Sequence, residues 1–270
     1  MFVKRTISGA ILLALIICGN IIGGAAWWIF TGILSITAVY ELFKVLSLHR
    51  TAMFYVTLGI DFALYLILYL GYGEWVPAIV MLYFVLLMGL YVIRWPVYDV
   101  KMISESLFAF VYAGLCMSFL YQVRIEEYGI YFIWIIFIVS WGCDTFAYLT
   151  GILIGKHKLP TTLSPKKTIE GCIGGVVGSV VIAFFYGLYI SNTLDEKIPY
   201  YIVFPIICGI GALMSQIGDL AASAVKRNMD IKDYGKLIPG HGGVMDRFDS
   251  VIYVAPVVYY LMKLYTGGIL

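Results

Sequence analysis

The chain has 270 residues, of which 62% are hydrophobic and only 13% are charged, and its formal net charge is +2. Soluble domains carry about a quarter charged residues, so this composition excludes an ordinary soluble domain. Apolar windows of about 20 residues, long enough to cross a bilayer, recur along the chain. The composition therefore predicts a polytopic membrane protein, and no nucleic-acid partner is expected.

Nine apolar segments are predicted to cross the membrane as helices. Continuous apolar runs favour helices, because a membrane β-barrel would show short segments of alternating polarity. The predicted spans are residues 6–23, 26–44, 52–72, 76–94, 102–122, 129–150, 170–191, 200–225 and 250–267. The predicted fold class is therefore all-α, a polytopic helical bundle in the membrane.

The positive charges indicate how the bundle is oriented. If the N-terminus is cytoplasmic, 15 of the 18 lysines and arginines fall on the cytoplasmic side, and the exceptions are Arg124, Lys197 and Lys263. This asymmetry follows the positive-inside rule. We therefore predict a multi-pass protein of the inner (cytoplasmic) membrane, with its N-terminus in the cytoplasm and its C-terminus outside.

The polar residues divide the chain into two regions. Residues 1–125 are apolar spans joined by short connections, and they are predicted to face lipid and support the rest. Residues 126–270 contain the two longest polar segments, 151–170 and 226–249, both on the predicted cytoplasmic side. These segments together hold nine cations and five carboxylates. We therefore place the catalytic region in residues 126–270, with its active site on the cytoplasmic side.

Carboxylates inside the predicted spans mark a candidate site, because a charged group in lipid is costly and usually functional. Asp144 and Asp219 lie near the cytoplasmic ends of two spans, and Asp246 and Asp249 lie one helical turn apart where the last span begins. Topology thus brings four carboxylates to one membrane surface. Each could simply form a salt bridge, or together they could hold a divalent metal between protein oxygens and substrate phosphates.

Two other acidic residues receive no catalytic assignment. Glu41 has Lys44 three residues later, and it is expected to extend its side chain toward the membrane surface. Asp61 lies midway along the third span, where a hydrogen bond between helices is the expected role.

Two local patterns are typical of phosphate binding. In "SPKKT", Ser164 as N-cap and Pro165 as the first residue predict a helix start. Lys166 and Lys167 would then stand beside a helix N-terminus that favours anions. In the run Pro-Gly-His-Gly-Gly at 239–243, glycines can turn backbone N–H groups toward a phosphate. These patterns favour a site for phosphorylated substrates.

The residues from Ser223 to Asp249 resemble the signature of the phosphatidate cytidylyltransferases, also called CDP-diacylglycerol synthases; they read "SAVKRNMDIKDYGKLIPGHGGVMDRFD". A second block, from Asp144 through "SPKKTIEG" at 164–171, is also similar to this family. Residues 1–125 resemble it only in being hydrophobic spans. The matching signature positions are Ser223, Lys226, Arg227, Lys232, Asp233, Gly235, Pro239, His241, Gly242, Gly243, Asp246, Arg247 and Asp249.

The resemblance implies a reaction in phospholipid biosynthesis, in which phosphatidic acid and CTP give CDP-diacylglycerol and pyrophosphate. It implies Mg²⁺ as cofactor, with Mn²⁺ as a substitute, together with membrane lipid as a partner and a homodimer. Two polyanions must approach each other, so the chemistry requires charge neutralisation and positioning. The lipid phosphate would attack the α-phosphorus of CTP in line.

The resemblance, together with the placement of the carboxylates in the spans, predicts roles for individual residues. The predicted metal ligands are Asp144, Asp219, Asp246 and Asp249. The predicted catalytic residues are Asp219, Lys226, Asp246, Arg247 and Asp249. The predicted substrate-binding residues are Ser164, Lys166, Lys167, Thr168, Ser223, Arg227, His241, Gly242 and Gly243. For His241, a hydrogen bond that braces the loop is the alternative.

Two other functions are compatible with a membrane protein of this kind. A CTP-dependent polyprenol or phytol kinase would transfer the terminal phosphoryl group to an alcohol and release CDP instead of pyrophosphate. A transporter would also place acids within spans, but transporters often show internal repeats and broken helices near the midplane. The polar residues here cluster at one membrane surface, which favours chemistry at the interface.

Overall fold

The computed structural model describes residues 2–194, 198–240 and 242–266. Within these ranges the chain is helical apart from its connections, and β-structure is limited to two isolated bridges. The predicted all-α fold is confirmed. The helical segments in chain order are α1 Phe2–Ile22, α2 Gly24–Val45, α3 Ala52–Tyr69, α4 Val76–Ile93, α5 Val100–Ile125, α6 Gly129–Ile154, α7 Ile169–Thr193, α8 Tyr200–Asn228 and α9 Met245–Thr266.

Each predicted span corresponds to one of these helices. Among the described residues, seven helices are long and apolar enough to cross a membrane, and they are α2 to α8, with α4 extended by a turn at its start. The apolar part of α1, Thr6–Ile22, is shorter. The chain is thus a helical membrane protein. The count of nine crossings and the side of the N-terminus stay predictions.

The chain divides into two compact units. The first contains the residues up to Ile125 together with Ile231–Arg247, and the second contains Glu126–Asp230 and the residues from Phe248 onward. The predicted division into residues 1–125 and 126–270, with their supporting and catalytic roles, stays a prediction. The polar segment Ile231–Arg247, however, packs with the N-terminal helices.

In the first unit, α2 and α3 are joined by a buried polar contact. Asp61 of α3 is fully buried, and its two carboxylate oxygens accept from the Ser35 hydroxyl of α2 at 2.9 and 3.0 Å. Residues 110–115 of α5 form a π turn, in which Gly114 approaches closely: a Cβ atom there would lie 2.6 Å from Asp61 Oδ1. The interhelical hydrogen bond expected for Asp61 is confirmed.

In the second unit, glycines allow α7 to lie directly against α6. A Cβ atom at Gly171 would lie 2.7 Å from the Ala147 carbonyl oxygen, and one at Gly175 would lie 2.8 Å from the Cys143 carbonyl oxygen. Small residues are how membrane helices approach each other closely. The start of α7 is therefore held beside the part of α6 that carries Asp144.

A second close approach joins α8 to α9 within the same unit. A Cβ atom at Gly218 would lie 2.6 Å from the Cβ of Tyr253. Gly218 immediately precedes Asp219, and Tyr253 lies one helical turn after Asp249. The contact therefore places two acidic residues on facing helices, and their carboxylates interact electrostatically.

Candidate active site

Three aspartates and two lysines converge in the second unit. Lys167 Nζ lies 2.6 Å from Asp219 Oδ2, and Lys226 Nζ lies 3.8 Å from Asp249 Oδ2. Asp144 interacts electrostatically with both Asp219 and Lys167. We call these five residues the aspartate–lysine cluster. The structure thus brings together three of the four predicted aspartates, and two of them pair with lysines.

Lys167 is the cation held most closely in this cluster. Its side chain is 23% exposed. Burial lowers the pKa of the Lys167 ammonium, but Asp219 and Asp144 raise it more, so its pKa lies above the ordinary value. Lys167 therefore stays protonated at neutral pH, and its fixed positive charge suits a phosphate.

The helix start predicted at Ser164 is wrong. Helix α7 begins at Ile169, and its N-cap is Thr168, whose hydroxyl accepts the N–H of Gly171 at 3.1 Å. Ser164 instead closes a turn, because its carbonyl accepts the N–H of Lys167 at 3.2 Å. Thr168 is therefore used as a helix cap in this structure, and its predicted contact with substrate stays a prediction.

A short antiparallel pairing explains this difference. Leu159 N–H donates to the Lys167 carbonyl at 2.9 Å, and Ile169 N–H donates to the His157 carbonyl at 2.8 Å. These bonds engage the backbone on both sides of Thr168, so a helix cannot begin earlier. Lys167 is consequently presented by a braced loop, and not by the first turn of a helix.

The cap supports a testable prediction. Replacing Thr168 with Val keeps the side-chain shape but removes the capping oxygen, and it should destabilise the protein by about 1 kcal/mol. Turnover should also fall, because Lys167 is the preceding residue. The separate variant Thr168→Ser keeps the capping oxygen, so its thermal unfolding temperature and its turnover should stay near those of the wild type. An unchanged unfolding temperature in Thr168→Val would contradict the capping role.

A cavity of about 490 Å³ opens beside the aspartate–lysine cluster. Its lining includes the charged residues Asp144, Lys167 and Asp219, and also Tyr148 and Ile152, which form an apolar wall on α6. Both of these wall residues are exposed at the surface of the helix. The lining therefore combines charged and apolar groups, which suits an amphiphilic ligand.

Ser250 is a member of this site that was not predicted from the sequence. It is 1% exposed, its N–H donates to Asp249 Oδ1 at 2.9 Å, and its hydroxyl lies 3.5 Å from Asp144 Oδ2. Ser250 thereby links α9 to α6. Its position next to Asp249 was the available signal, but a contact with Asp144 requires the packed helices.

The predicted phosphate loop of the first unit folds around carboxylates. Asp246 Oδ2 accepts the N–H of Tyr234 at 2.8 Å and the N–H of Gly243 at 3.0 Å. The Gly243 amide therefore points to Asp246 in this arrangement. Contact of Gly242 and Gly243 with CTP stays a prediction, as does a metal-binding role for Asp246.

Glu41 is a further residue that the sequence did not reveal. The expectation that its side chain extends to the membrane surface is wrong, because the residue is only 4% exposed. Its carboxylate accepts the N–H of Val244 at 3.1 Å and the N–H of Met245 at 2.9 Å. The acid in an apolar span was a visible signal, but its backbone partners lie more than 200 positions later in the chain.

The other predicted site residues lie on α8, at the start of α9 and in the loop before α7. Ser223 lies half-buried on α8, where Arg227 is exposed, and Arg247 is half-buried in the first turn of α9. Lys166 is exposed in the loop before α7, where it also lines the cavity. His241 lies outside the described residues. The substrate contacts of these five residues stay predictions.

The aspartate–lysine cluster fits a metal site that is completed by substrate. Within residues 2–194, 198–240 and 242–266, no three His, Cys, Asp or Glu side chains are arranged to hold a metal ion. Mg²⁺ usually keeps several waters and uses one or two carboxylates plus substrate phosphates, so such a cage is not needed. Asp144 and Asp219, which both line the cavity, are oxygen donors of the required kind.

Comparison with known proteins gives consistent relatives. The model of the cytidylyltransferase family matches residues 3–265. A phosphatidate cytidylyltransferase of Staphylococcus haemolyticus (strain JCSC1435) is 33% identical over 269 residues, which cover 96% of this chain and 98% of that protein. One of Staphylococcus aureus (strain COL) is 33% identical over 271 residues, with the same coverage. One of Bacillus subtilis (strain 168) is 38% identical over 159 residues, covering 58% of this chain and 57% of that protein.

Proposed function

The chain belongs to the cytidylyltransferase family, and we propose that it transfers the cytidylyl group of CTP to phosphatidic acid, forming CDP-diacylglycerol and pyrophosphate. The cavity beside the aspartate–lysine cluster is the observation that carries this proposal. It combines a Lys167–Asp219 pair with an apolar wall on a membrane helix. Phosphatidic acid has the matching chemistry, because a phosphate headgroup is attached to two acyl chains.

The proposed reaction needs no covalent enzyme intermediate. A phosphate oxygen of phosphatidic acid forms a bond to the α-phosphorus of CTP, and the bond from that phosphorus to the β-phosphate oxygen breaks. Pyrophosphate leaves with the bridging oxygen. Since both substrates are anionic, the residues mainly position them and neutralise their charge. Lys167 and Lys226 supply fixed positive charges for this purpose.

We assign the metal to the same cluster. Asp144 and Asp219 would hold Mg²⁺, or Mn²⁺ in its place, together with substrate phosphates, and Asp246 and Asp249 are further candidates from the sequence. When bound, the ion would reduce phosphate repulsion and stabilise the charge of the departing pyrophosphate. Asp219 has a second role that needs no metal, because it keeps Lys167 charged and in place.

The identity of the released product tests the proposed function. Purified protein in detergent would be supplied with phosphatidic acid, CTP and Mg²⁺, and in parallel with polyprenol in place of phosphatidic acid. We expect pyrophosphate and CDP-diacylglycerol from the first mixture. CDP released only with polyprenol would favour the kinase, and the absence of turnover in both mixtures would contradict an enzymatic role.

The side of the membrane is a separate prediction. We propose that the site faces the cytoplasm, with the chain in the inner membrane as a homodimer. In a background whose native cysteines are replaced, Lys166→Cys and Lys236→Cys should resist an impermeant thiol reagent in intact cells. Both should react once the membrane is permeabilised. Labelling of either position in intact cells would contradict a cytoplasmic site.

A further inference from the structure

Four backbone N–H groups near the start of α9 are shared between two carboxylates. We call residues 232–240 and 242–245 the glycine loop. Asp246 accepts the N–H groups of Tyr234 and Gly243, as described above, and Glu41 of α2 accepts the next two in sequence, at Val244 and Met245. The loop is thus held by Asp246, which directly follows it, and by Glu41, which is distant in sequence.

Glu41 occupies the position that an anion would take at the start of α9. The first N–H groups of a helix have no acceptor within the helix, and they attract negative charge. A phosphate is a common ligand at such a position. Here the buried Glu41 carboxylate already accepts the Met245 N–H at 2.9 Å. This helix start therefore serves to anchor the loop.

Two glycines are fitted to the same carboxylate. A Cβ atom at Gly235 or at Gly243 would collide with the Glu41 carboxylate. The two glycines also lie against each other, since a Cβ atom at Gly235 would be 3.1 Å from the Gly243 Cα. Glu41 therefore contacts the loop near both of its ends. A further contact comes from α1, where the Ser8 hydroxyl donates to the Pro239 carbonyl at 3.1 Å.

We propose that Glu41 is a positioning residue for nucleotide binding, which holds the two ends of the glycine loop in the form that receives CTP. This inference rests on the proposed function, because CTP is taken as the ligand of the loop. Glu41 acts through the amides of Val244 and Met245, without touching substrate. Helix α2 would then take part in nucleotide binding, although the N-terminal helices are predicted only to support the catalytic region.

Kinetic constants of matched variants test the positioning role. Glu41→Gln keeps the size of the side chain, but its amide NH₂ would replace an acceptor with a donor that faces another donor. We expect the KM for CTP to rise about tenfold through the loss of a charge-assisted hydrogen bond, while the KM for phosphatidic acid stays within about twofold. Glu105→Gln is the control, since Glu105 lies in the same unit and its carboxylate forms an ion pair with Lys101 at 3.8 Å, one turn earlier on its own helix.

A second measurement does not depend on activity. Lys236 is exposed in the glycine loop, and Lys156 is exposed in the loop before α7. The rate of trypsin cleavage after Lys236, measured relative to cleavage after Lys156, should increase about tenfold in Glu41→Gln because local opening of the loop becomes easier. In Glu105→Gln, trypsin should cleave after Lys236 at the same relative rate as in the wild type.

The outcomes separate the inference from the proposed function. Equal rates of cleavage after Lys236 in the wild type and in Glu41→Gln would show that Glu41 does not hold the loop, whatever reaction the chain catalyses. Faster cleavage without a selective rise in the KM for CTP would overturn the positioning role. Faster cleavage in a protein that does not use CTP and phosphatidic acid would overturn the proposed function, and with it CTP as the ligand of the loop.

Discussion

Asp219→Asn is expected to lower turnover by about a hundredfold to a thousandfold, the loss typical of removing one preorganised charged group from a site. Asn keeps the shape of Asp219 but removes the charge that holds Lys167 Nζ at 2.6 Å. Without that charge, burial has more influence on Lys167 and its pKa falls. The decline of activity at alkaline pH should therefore begin at a lower pH in the variant than in the wild type.

Asp230→Asn is the matched control for this change. Asp230 follows the end of α8 in the same unit, is exposed, and has a φ of 51°, which Asn also adopts. The turnover and the pH profile of the Asp230→Asn variant should equal those of the wild type. If Asp219→Asn retained more than half of the wild-type turnover, Asp219 would be neither a partner that Lys167 needs nor a metal ligand.

Asp249→Asn is expected to reduce turnover by about a hundredfold with little change in stability. Asp249 is 9% exposed, and Lys226 Nζ lies 3.8 Å from its Oδ2, so this long ion pair compensates its charge only partly. The Asn oxygen can still accept the Ser250 N–H that Asp249 accepts at 2.9 Å. A loss of turnover in Asp249→Asn would therefore result from the missing negative charge. Activity as a function of Mg²⁺ and Mn²⁺ concentration, together with thermal unfolding, measures both effects.

Asp246→Asn provides the comparison within the same helix. Its oxygen can replace Asp246 Oδ2 as the acceptor for Tyr234 and Gly243, so the glycine loop should keep its fold. A large loss of turnover at an unchanged unfolding temperature would support the predicted metal role. Near-normal activity in both variants, or losses that unfolding explains, would leave Asp246 and Asp249 with structural roles alone.

The helices were predictable because hydrophobic length determines them. The predicted sixth span, 129–150, differs from Gly129–Ile154 mainly at its end, where the helix continues through Gly151. The convergence of Asp144, Asp219 and Asp249 was also predictable, because each lies near the end of its span that is predicted to face the cytoplasm. Which lysine pairs with which aspartate depends on how the helices pack. That packing depends on close contacts at glycines such as Gly218, and the sequence does not show which residue a glycine will contact.

The errors have a common physical cause. Ser164 and Thr168 are both suitable caps by residue type, and backbone pairing with residues 157–159 decides between them. Glu41 likewise has an acidic side chain near a lysine in sequence, but its acceptor bonds go to backbone amides of a distant loop. Backbone N–H groups are present at nearly every residue, so no sequence pattern identifies the ones that a buried acid will bind.

The most direct test of the proposed function follows the α-phosphorus of CTP. CTP labelled at the α-phosphorus, or separately at the γ-phosphorus, would be incubated with phosphatidic acid, Mg²⁺ and the purified wild-type protein, with Asp219→Asn in parallel. We predict that the α-label enters the lipid product, that the γ-label appears only in water-soluble pyrophosphate, and that Asp219→Asn forms little of either product. Transfer of the γ-label to lipid, or failure of the α-label to enter lipid, would contradict cytidylyl transfer.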